Sequence, residues 1–290
     1  MSRDYGTLAP STVGVVMREA VRRAIKIIQR HRFVVEAEAK MGKDGVLNDV
    51  VTVADREAQE MYLRMIRENF PHYGVLAEED ELRIPGGGLY LTVDPLDGTR
   101  AYARRQSTGV GTMIALSDGR EVISAYVGDA LTSEVYGYRP DSERVYRLNR
   151  FEQAIRIWYE AKPLKDSYIL LREDPWTYRL DARTLATQYF RGIDVEGGSI
   201  GLSFARLWKR EVGAILLGPG FDTPWDSTPV QGISKKLGFV SLEVRPNGQV
   251  EMVDPLPPCS VAPREAEVLI VHRDNLAELD LAHPLFRGSQ

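Results

Sequence analysis

The sequence contains little of what a disulfide, a zinc site or a membrane span would need. Its 290 residues include one cysteine, Cys259, which excludes an internal disulfide and fits a reducing compartment. The four histidines are scattered and lack zinc-ligand spacing. No stretch approaches the roughly 20 apolar residues of a membrane span, and the first residues lack a signal-peptide-like apolar segment. We therefore expect a cytoplasmic protein without a membrane partner.

The sequence also lacks a large excess of charge of one sign. The chain has 37 basic and 41 acidic residues, which are interleaved and give a net charge of −4. We expect no nucleic acid polymer as a partner, because its binding needs a broad positive field. With 43% hydrophobic and 27% charged residues, the composition is that of an ordinary folded protein. The length predicts two packed lobes, residues 1–155 and residues 156–290.

Hydrophobic spacing predicts both helices and strands. One helix begins near Ser11, and a second begins near Ala54 and ends before Pro71. Alternating apolar residues between about Leu89 and Leu148 predict a largely antiparallel sheet. The second half mixes strands and helices without a sequence repeat. The predicted fold class is therefore α+β.

Carboxylates recur where predicted elements end. They occur in four segments: "DVVTVAD" (Asp49, Asp55), "AEED" (Glu78, Glu79, Asp80), "DPLDGT" (Asp94, Asp97) and "PWDSTP" (Asp226). Taken singly, such residues are commonly helix caps, turn formers or surface charges. Two carboxylates three positions apart repel each other unless one is protonated or a cation lies between them. Oxygen-only ligands suit Mg²⁺ or Mn²⁺.

The residues after the second aspartate of "DPLDGT" predict a phosphate site. Gly98 permits a positive φ and close approach of a ligand to the main chain. The following "GTRAY" predicts a short helix whose free amides belong to Gly98 and Thr99. A helix amino terminus beside a divalent cation is suited to a phosphate group, and the combination predicts phosphoryl chemistry.

These motifs occur in one order between Lys43 and Leu237, together with "GGSIG" and a Trp-Asp pair that opens a helix. The set resembles the inositol monophosphatase superfamily of Mg²⁺-dependent, lithium-sensitive phosphomonoesterases, which includes fructose-1,6-bisphosphatases and 3'(2'),5'-bisphosphate nucleotidases. The resemblance implies a layered αβαβα sandwich of two sheets and helices. It also implies a homodimer.

The resemblance implies a set of metal ligands. Glu78, Asp94 and the carbonyl of Leu96 would hold the first ion, and Asp94, Asp97 and Asp226 would hold the second. Glu78 would help to hold a weaker third ion through water. The expected cofactor is therefore two to three Mg²⁺ ions, with Mn²⁺ as a substitute.

The resemblance also implies the catalytic residues. Asp49 and Thr99 would orient or deprotonate the attacking water, with Glu78 assisting. The amides of Gly98 and Thr99 would hold the phosphate. The implied reaction is direct in-line attack by metal-activated water, with no phosphoenzyme.

Other positions are expected to contact substrate or shape the site. Gly198 and Ser199 lie in the "GGSIG" segment, and Lys43 and Glu79 are further candidates. Thr52 and Asp55 are interpreted as shaping the loop and capping the following helix.

The substrate prediction keeps alternatives. Inositol phosphatases carry an acidic side chain shortly before the Trp-Asp pair, but this chain has Pro219 there, and Asp222 is the candidate substitute. The predicted substrate is a small phosphate ester, inositol monophosphate or a related polyol or sugar phosphate. The alternatives are a 3'(2'),5'-bisphosphate nucleotidase and a catalytically silent regulator that binds phosphorylated metabolites.

Overall fold

The structure is a computed structural model that describes residues 4–34, 37–47, 49–245 and 250–279. The α-helices in these ranges are α1 (Pro10–His31), α2 (Val53–Asn69), α3 (Thr99–Ala103), α4 (Leu180–Tyr189), α5 (Ile200–Trp208) and α6 (Pro224–Lys236). Both predicted amino-terminal helices are present. α2 ends before Pro71 because the residue preceding a proline disfavours helical backbone.

Within the described ranges, the strands form two larger sheets and two two-stranded ribbons. In chain order they are β1 (Ala37–Lys40), β2 (Asp49–Thr52), β3 (Gly74–Ala77), β4 (Arg83–Ile84), β5 (Tyr90–Asp97), β6 (Gly111–Ser117), β7 (Val122–Asp129), β8 (Val135–Tyr138), β9 (Val145–Leu148), β10 (Ala154–Ile157), β11 (Tyr168–Leu171), β12 (Gly192–Val195), β13 (Ala214–Leu217), β14 (Gly220–Asp222), β15 (Phe239–Val244), β16 (Val250–Val253), β17 (Ala262–Arg264) and β18 (Glu267–His272). Short 3₁₀ turns connect some of them.

The first sheet has the order β10-β9-β8-β7-β6-β5-β3-β4. Its neighbours pair antiparallel except for β3 and β5, which run parallel. The antiparallel sheet predicted between about Leu89 and Leu148 is thereby confirmed. Because β3 and β5 run parallel, the carboxyl ends of both strands meet at one edge of the sheet.

The second sheet has the order β12-β11-β13-β18-β15-β16 and is mixed. Two ribbons lie outside the larger sheets. β1 pairs with β2, and β14 pairs with β17.

The alternation of side chains along the strands produces five layers. In β6, Ile114 belongs to the core shared with α1 and α2, whereas Met113 belongs to the core shared with α5 and α6. In β11, Leu170 belongs to the same core as Met113, which lies between the two sheets and is called the middle core below. Ile169 belongs to an outer core with α4. Successive side chains of a strand point to opposite faces, so each sheet is covered on both sides. The predicted αβαβα sandwich is confirmed.

The middle core joins the two halves of the sequence. Phe204 and Trp208 of α5 are buried among residues of both sheets, and Val230 and Ile233 of α6 lie in the same cluster. No helix among the described residues is long and apolar enough to cross a membrane.

Candidate active site

The "DPLDGT" segment carries its two carboxylates to one side of the first sheet by interrupting the strand. Asp94 pairs with Met113 and Asp97 pairs with Gly111, and the register shifts between these pairs. In a regular strand, residues three apart point to opposite faces, so the irregularity is what allows both carboxylates to face one point. Gly98 then adopts φ +91° and leads into α3.

Gly98 is required at the turn by space as well as by backbone conformation. A Cβ at this position would lie 2.2 Å from the carbonyl oxygen of Gly109 and 2.7 Å from the amide nitrogen of Ser199. The turn therefore packs against backbone from the second half of the chain.

Three carboxylates converge at the end of β5. One ligand oxygen each from Asp94, Asp97 and Asp226 can be chosen so that all lie within 4.8 Å of one another. Asp226 arrives in the first turn of α6, where the hydroxyl of Thr223 accepts a hydrogen bond from its amide and donates one to its carboxylate. Glu78 follows β3 directly and donates its amide to the carbonyl of Val93, which places it beside Asp94.

The electrostatics of the cluster indicate a site for a cation. Burial, reinforced by the charges of Glu78, Asp97 and Asp226, raises the pKa of Asp94 well above its usual range. Burial, with the charge of Asp226, also raises the pKa of Asp97 to about 6. Such shifts record mutual repulsion in a poorly solvated place, which a divalent cation would relieve.

The donor set fits a hard divalent cation. Its members are the carboxylates of Glu78, Asp94, Asp97 and Asp226 and the carbonyl of Leu96. All lie on the wall of one cavity of about 510 Å³, called the acid cavity below. Among the described residues that line this cavity there is neither histidine nor cysteine. Oxygen donors of this kind suit Mg²⁺, Mn²⁺ or Ca²⁺.

Two lysines from the β1–β2 ribbon and its loop contact the carboxylates. The Nζ of Lys43 lies 3.3 Å from Oδ2 of Asp226 and 5.5 Å from the ring centre of Trp225. Although burial acts to raise the pKa of Asp226, the charge of Lys43 and the hydrogen bond from Thr223 lower it overall. The Nζ of Lys40 lies 2.8 Å from Glu79 and 3.5 Å from Glu78.

The hydroxyl of Thr99 pairs with Asp55 rather than with Asp49. It lies 3.0 Å from Oδ1 of Asp55 and 3.0 Å from the carbonyl of Leu96. Asp49 instead accepts a hydrogen bond from the amide of Val50, and its carboxylate lies 3.8 Å from Nε of Arg100. Asp49 and Thr99 both line the acid cavity, and their expected joint action on the attacking water stays a prediction.

The physical reason for the pairing of Thr99 with Asp55 is the capping box at the start of α2. Oδ2 of Asp55 accepts hydrogen bonds from the amide and the hydroxyl of Thr52, which are 2.8 Å and 2.6 Å away. The capping role predicted for Thr52 and Asp55 is confirmed. This arrangement leaves Oδ1 of Asp55 for Thr99, and burial raises the pKa of Asp55 to about 6. The three-residue spacing of Thr52 and Asp55 is a capping signal, but it gives no indication of the contact with Thr99.

Two residues that were predicted to contact substrate make hydrogen bonds to other residues of the protein. Ser199 is buried, caps α5 by accepting a hydrogen bond from Leu202, and donates its own hydroxyl to Asp97. Asp222 accepts hydrogen bonds from Arg264, 2.6 Å away, and from Ser227, and it does not line the acid cavity. Ser199 and Asp222 are thus hydrogen-bonded to other side chains of the protein, and their expected contact with substrate stays a prediction.

The remaining candidates divide between two cavities. Gly98, Thr99, Gly198 and Lys43 line the acid cavity. Glu79 lines the neighbouring cavity below the β1–β2 ribbon, which Glu78 and Lys43 also line. Burial raises the pKa of Glu79 to about 7 despite the contact with Lys40.

The sequence interpretation missed two basic residues. Arg172 follows β11, and its guanidinium donates to the carbonyl of Gly198 at 2.6 Å and to the hydroxyl of Ser203 at 2.8 Å. Arg264 ends β17 and donates to the carbonyl of Gly218 at 3.0 Å. Both line the acid cavity. Neither belongs to a motif, because a single arginine beside a strand has no recognisable spacing.

Comparisons with known proteins agree with this geometry. The family model described as "Inositol monophosphatase family" matches residues 10–147. The histidinol-phosphatase of Chlorobaculum parvum is 41% identical over 69 residues, which are 23% of this chain and 25% of that protein. The chain thus aligns with only about a quarter of this relative's length.

Solved structures match over nearly the whole chain. The extragenic suppressor protein SuhB of Bartonella henselae is 18% identical, with a TM-score of 0.69 and coverage of 96% of this chain and 100% of that one. A structure described as an IMPase/NADP phosphatase complexed with NADP and Ca²⁺ is 17% identical, with a TM-score of 0.70 and coverage of 94% and 95%. At these identities the likeness shows the fold. With the family match over residues 10–147 and the order of the carboxylate motifs along this fold, the chain is similar to the inositol monophosphatase family.

Proposed function

We propose that this protein is a phosphomonoesterase that depends on divalent cations, Mg²⁺ in the first place, with two to three ions bound. The observation that carries the proposal is the convergence of Asp94, Asp97 and Asp226 within 4.8 Å, beside a hydrogen-bonded pair of Asp55 and Thr99. When bound, the cations supply charge that offsets the phosphoryl oxygens and lowers the pKa of water.

The chain's own residues provide a route for the proton. When Thr99 donates its hydroxyl hydrogen to Oδ1 of Asp55, the lone pairs of its oxygen are free to accept a hydrogen bond from a water in the acid cavity. As that water attacks phosphorus and the bond to the ester oxygen breaks, the water's proton passes to Thr99 Oγ1 while the hydroxyl proton of Thr99 passes to Asp55. The departing alkoxide takes a proton from solvent and leaves as the alcohol. The raised pKa of Asp55, about 6, makes its carboxylate a base suited to neutral pH.

Other residues orient the ester. The amides of Gly98 and Thr99 are positioned at the start of α3, on the wall of the acid cavity, to hold phosphoryl oxygens. Lys43 adds positive charge on the same wall. Arg172 holds the loop that contains Gly198 in place through its carbonyl. These contacts would align phosphorus with the attacking water, as direct displacement requires.

The substrate's alcohol is less clearly a polyol than the family resemblance implies. Pro219 lines the acid cavity where an acidic side chain was expected, and Asp222 is held by Arg264. The candidates are therefore a polyol phosphate such as inositol monophosphate and, as a second function, a nucleotide phosphate ester. The second candidate is favoured by this missing carboxylate.

Phosphate release tests the proposal. Purified protein would be incubated with inositol 1-phosphate, histidinol phosphate, NADP, adenosine 3',5'-bisphosphate and glycerol 3-phosphate, with Mg²⁺, with Mn²⁺ and with EDTA. We expect cation-dependent release from at least one ester. Absence of release from all of them, alongside tight binding of one, would support a silent regulator instead.

Asp94→Asn provides the decisive variant. Removing the central charge should abolish Mg²⁺ binding in calorimetry and lower kcat by about 10³-fold or more, because charge stabilisation by the cations is lost. Asp254→Asn, at an exposed carboxylate paired with Lys235, is the matched control and should retain full activity. Near-normal turnover by Asp94→Asn would refute the assignment of the site.

A further inference from the structure

A second cavity adjoins the acid cavity, and its wall has a different composition. It measures about 460 Å³ and lies between α5 and α6 on one side and the second sheet on the other. It is called the side cavity below. The two cavities share Ile200, Leu217, Ser227 and Arg264 on their walls, so they are neighbours along a common boundary.

Somewhat more than half of the side-cavity wall is apolar, and polar side chains such as Glu243 make up the rest. Phe204 of α5 and Val230 of α6 face Phe239 of β15 and Ile270 of β18 across it. The volume is within the range of small-molecule sites, which are typically about 300 to 1,000 Å³ and mostly apolar with a few placed polar groups. A flat or branched apolar group of moderate size therefore suits this cavity.

Gln231 of α6 is one of the polar residues that line this cavity. Oε1 of Gln231 is buried and has no hydrogen-bond partner among the described residues. A buried acceptor left unpaired is unfavourable, so a rotation of this side chain that lets it meet a donor on a ligand would be favoured. Ser234, on the same helix, already accepts a hydrogen bond from Trp208 and is not available in the same way.

The boundary between the cavities is organised by one ion pair. Nη1 of Arg264 lies 2.6 Å from Oδ1 of Asp222, which also accepts a hydrogen bond from Ser227. Arg264 lines both cavities, whereas Asp222 lines the side cavity alone. A phosphate held near Gly98 would thus have its alcohol part directed along a wall that passes from charged to apolar.

From these observations we infer that the side cavity is the binding subsite for the alcohol part of the substrate. We further infer that the preferred substrates are phosphomonoesters whose alcohol carries an apolar or aromatic group with a hydrogen-bond donor. A polyol is disfavoured because each hydroxyl buried against Phe204, Val230 or Phe239 would lose its hydrogen bonds with water. The inference rests on the proposed function for the position of the phosphate only.

Two primary alkyl esters test the preference without a difference in leaving group. We expect kcat/KM for 2-phenylethyl phosphate to exceed that for glycerol 3-phosphate by tenfold or more. An aryl phosphate would be unsuitable, because its better leaving group would raise the rate independently of binding.

Ser241→Trp tests the location. Ser241 lies on the same face of β15 as Phe239 and forms part of the side-cavity wall, and it has no place in the proposed chemistry. The larger side chain should fill the cavity and reduce kcat/KM for 2-phenylethyl phosphate at least tenfold, with glycerol 3-phosphate unaffected. Ser241→Ala is the matched control and should keep the wild-type ratio. An equal ratio in wild type and Ser241→Trp would overturn the inference.

A binding measurement separates the subsite from catalysis. Crystals soaked with 2-phenylethanol should show the ring between Phe204 and Phe239 in the wild type and not in Ser241→Trp. If the ring binds there but neither these two esters nor any of the esters named under the proposed function is hydrolysed, the proposed function fails and the subsite stands. If glycerol 3-phosphate is hydrolysed but the ring is found elsewhere or nowhere, the function stands and the subsite is refuted. Retained glycerol 3-phosphate turnover, or an unchanged melting temperature, shows that the variant is folded.

Discussion

At the scale of single residues, the carboxylate of Asp55 combines two tasks that the sequence separates. Its Oδ2 completes the capping box of α2 with Thr52, and its Oδ1 contacts the hydroxyl of Thr99. The helix cap fixes the rotamer of the side chain, and the fixed rotamer determines the direction in which the second oxygen points. An element of local folding thereby positions a group in the proposed reaction.

Substitution of the two aspartates near Thr99 distinguishes their roles. Asp55→Asn should lower kcat by about 10²- to 10⁴-fold, the usual contribution of a general base, while KM changes little. Asp49→Asn should lower kcat much less, because the hydroxyl of Thr99 is paired with Asp55. Steady-state phosphate release gives both values. The reverse order would restore the pairing expected from the family resemblance.

The raised pKa of Asp55 also predicts a pH dependence of stability. Its folded-state pKa of about 6 lies above the ordinary value of 3.8, because burial disfavours the charged form. The folded state then binds the proton more tightly than the unfolded state. The ionised group therefore costs stability progressively from about pH 4 to pH 6 and fully above that, by about 2 to 3 kcal/mol.

Urea denaturation in EDTA of the wild type and Asp55→Asn measures this effect. The wild-type free energy of unfolding, relative to that of the variant, should fall between pH 4 and pH 7. Comparison with the variant cancels the titration of the other carboxylates. A difference that does not change with pH would contradict the expected shift.

Residue-scale prediction from the sequence succeeded for side chains with a fixed local geometry. Asp94, Asp97 and Asp226 converge because a stiff turn and a helix start direct them. It did not anticipate the partners of Ser199 and Asp222, which are Asp97 and Arg264 and are distant in the chain. Spacing along a sequence does not show which of two possible long-range partners a hydroxyl or carboxylate will take.

At the scale of elements, the β5–α3 turn is the most constrained piece of backbone in the site. Gly98→Ala would place a Cβ 2.2 Å from the carbonyl of Gly109 at a backbone φ of +91°. We expect a loss of about 3 kcal/mol or more, because the turn and the neighbouring backbone must both shift. Gly88→Ala is the matched control: its φ is +100°, yet nothing lies within 4 Å of the added atom.

The Gly88 variant should lose only about 1 to 2 kcal/mol, the usual cost of left-handed backbone for a residue with a side chain. Chemical denaturation gives both free energies of unfolding. Similar losses in the two variants would mean that the close contact with Gly109 does not constrain the turn.

The helices and most strands were predictable because their hydrophobic periods are regular. The apolar positions of α1, including Val13, Met17 and Ala24, face the core at helical spacing. The interruption of β5 was not predictable in the same way. Its register shift depends on pairing with β6, whose partner residues the local sequence of β5 does not specify.

At the scale of the whole molecule, the middle layer makes the two sheets interdependent. Helices α5 and α6 come from the second half of the sequence but bury Phe204, Trp208 and Ile233 against residues of both sheets. Unfolding either sheet alone would expose this shared core. We therefore expect a single cooperative transition, with equal calorimetric and van't Hoff enthalpies in differential scanning calorimetry. Two resolved transitions would show that the predicted lobes, residues 1–155 and 156–290, are independent.

The hydrogen bonds of Asp97 affect how the sequences of this chain's relatives are interpreted. Its carboxylate accepts hydrogen bonds from the amides of Ile200 and Gly201 and from the hydroxyl of Ser199. These bonds connect the start of α5 to the end of β5. A descendant that had lost all turnover would still need this aspartate to assemble its tertiary structure. Retention of Asp97 would thus indicate common ancestry without indicating activity. Loss of Asp94 or Asp226 would identify a relative that no longer catalyses the reaction.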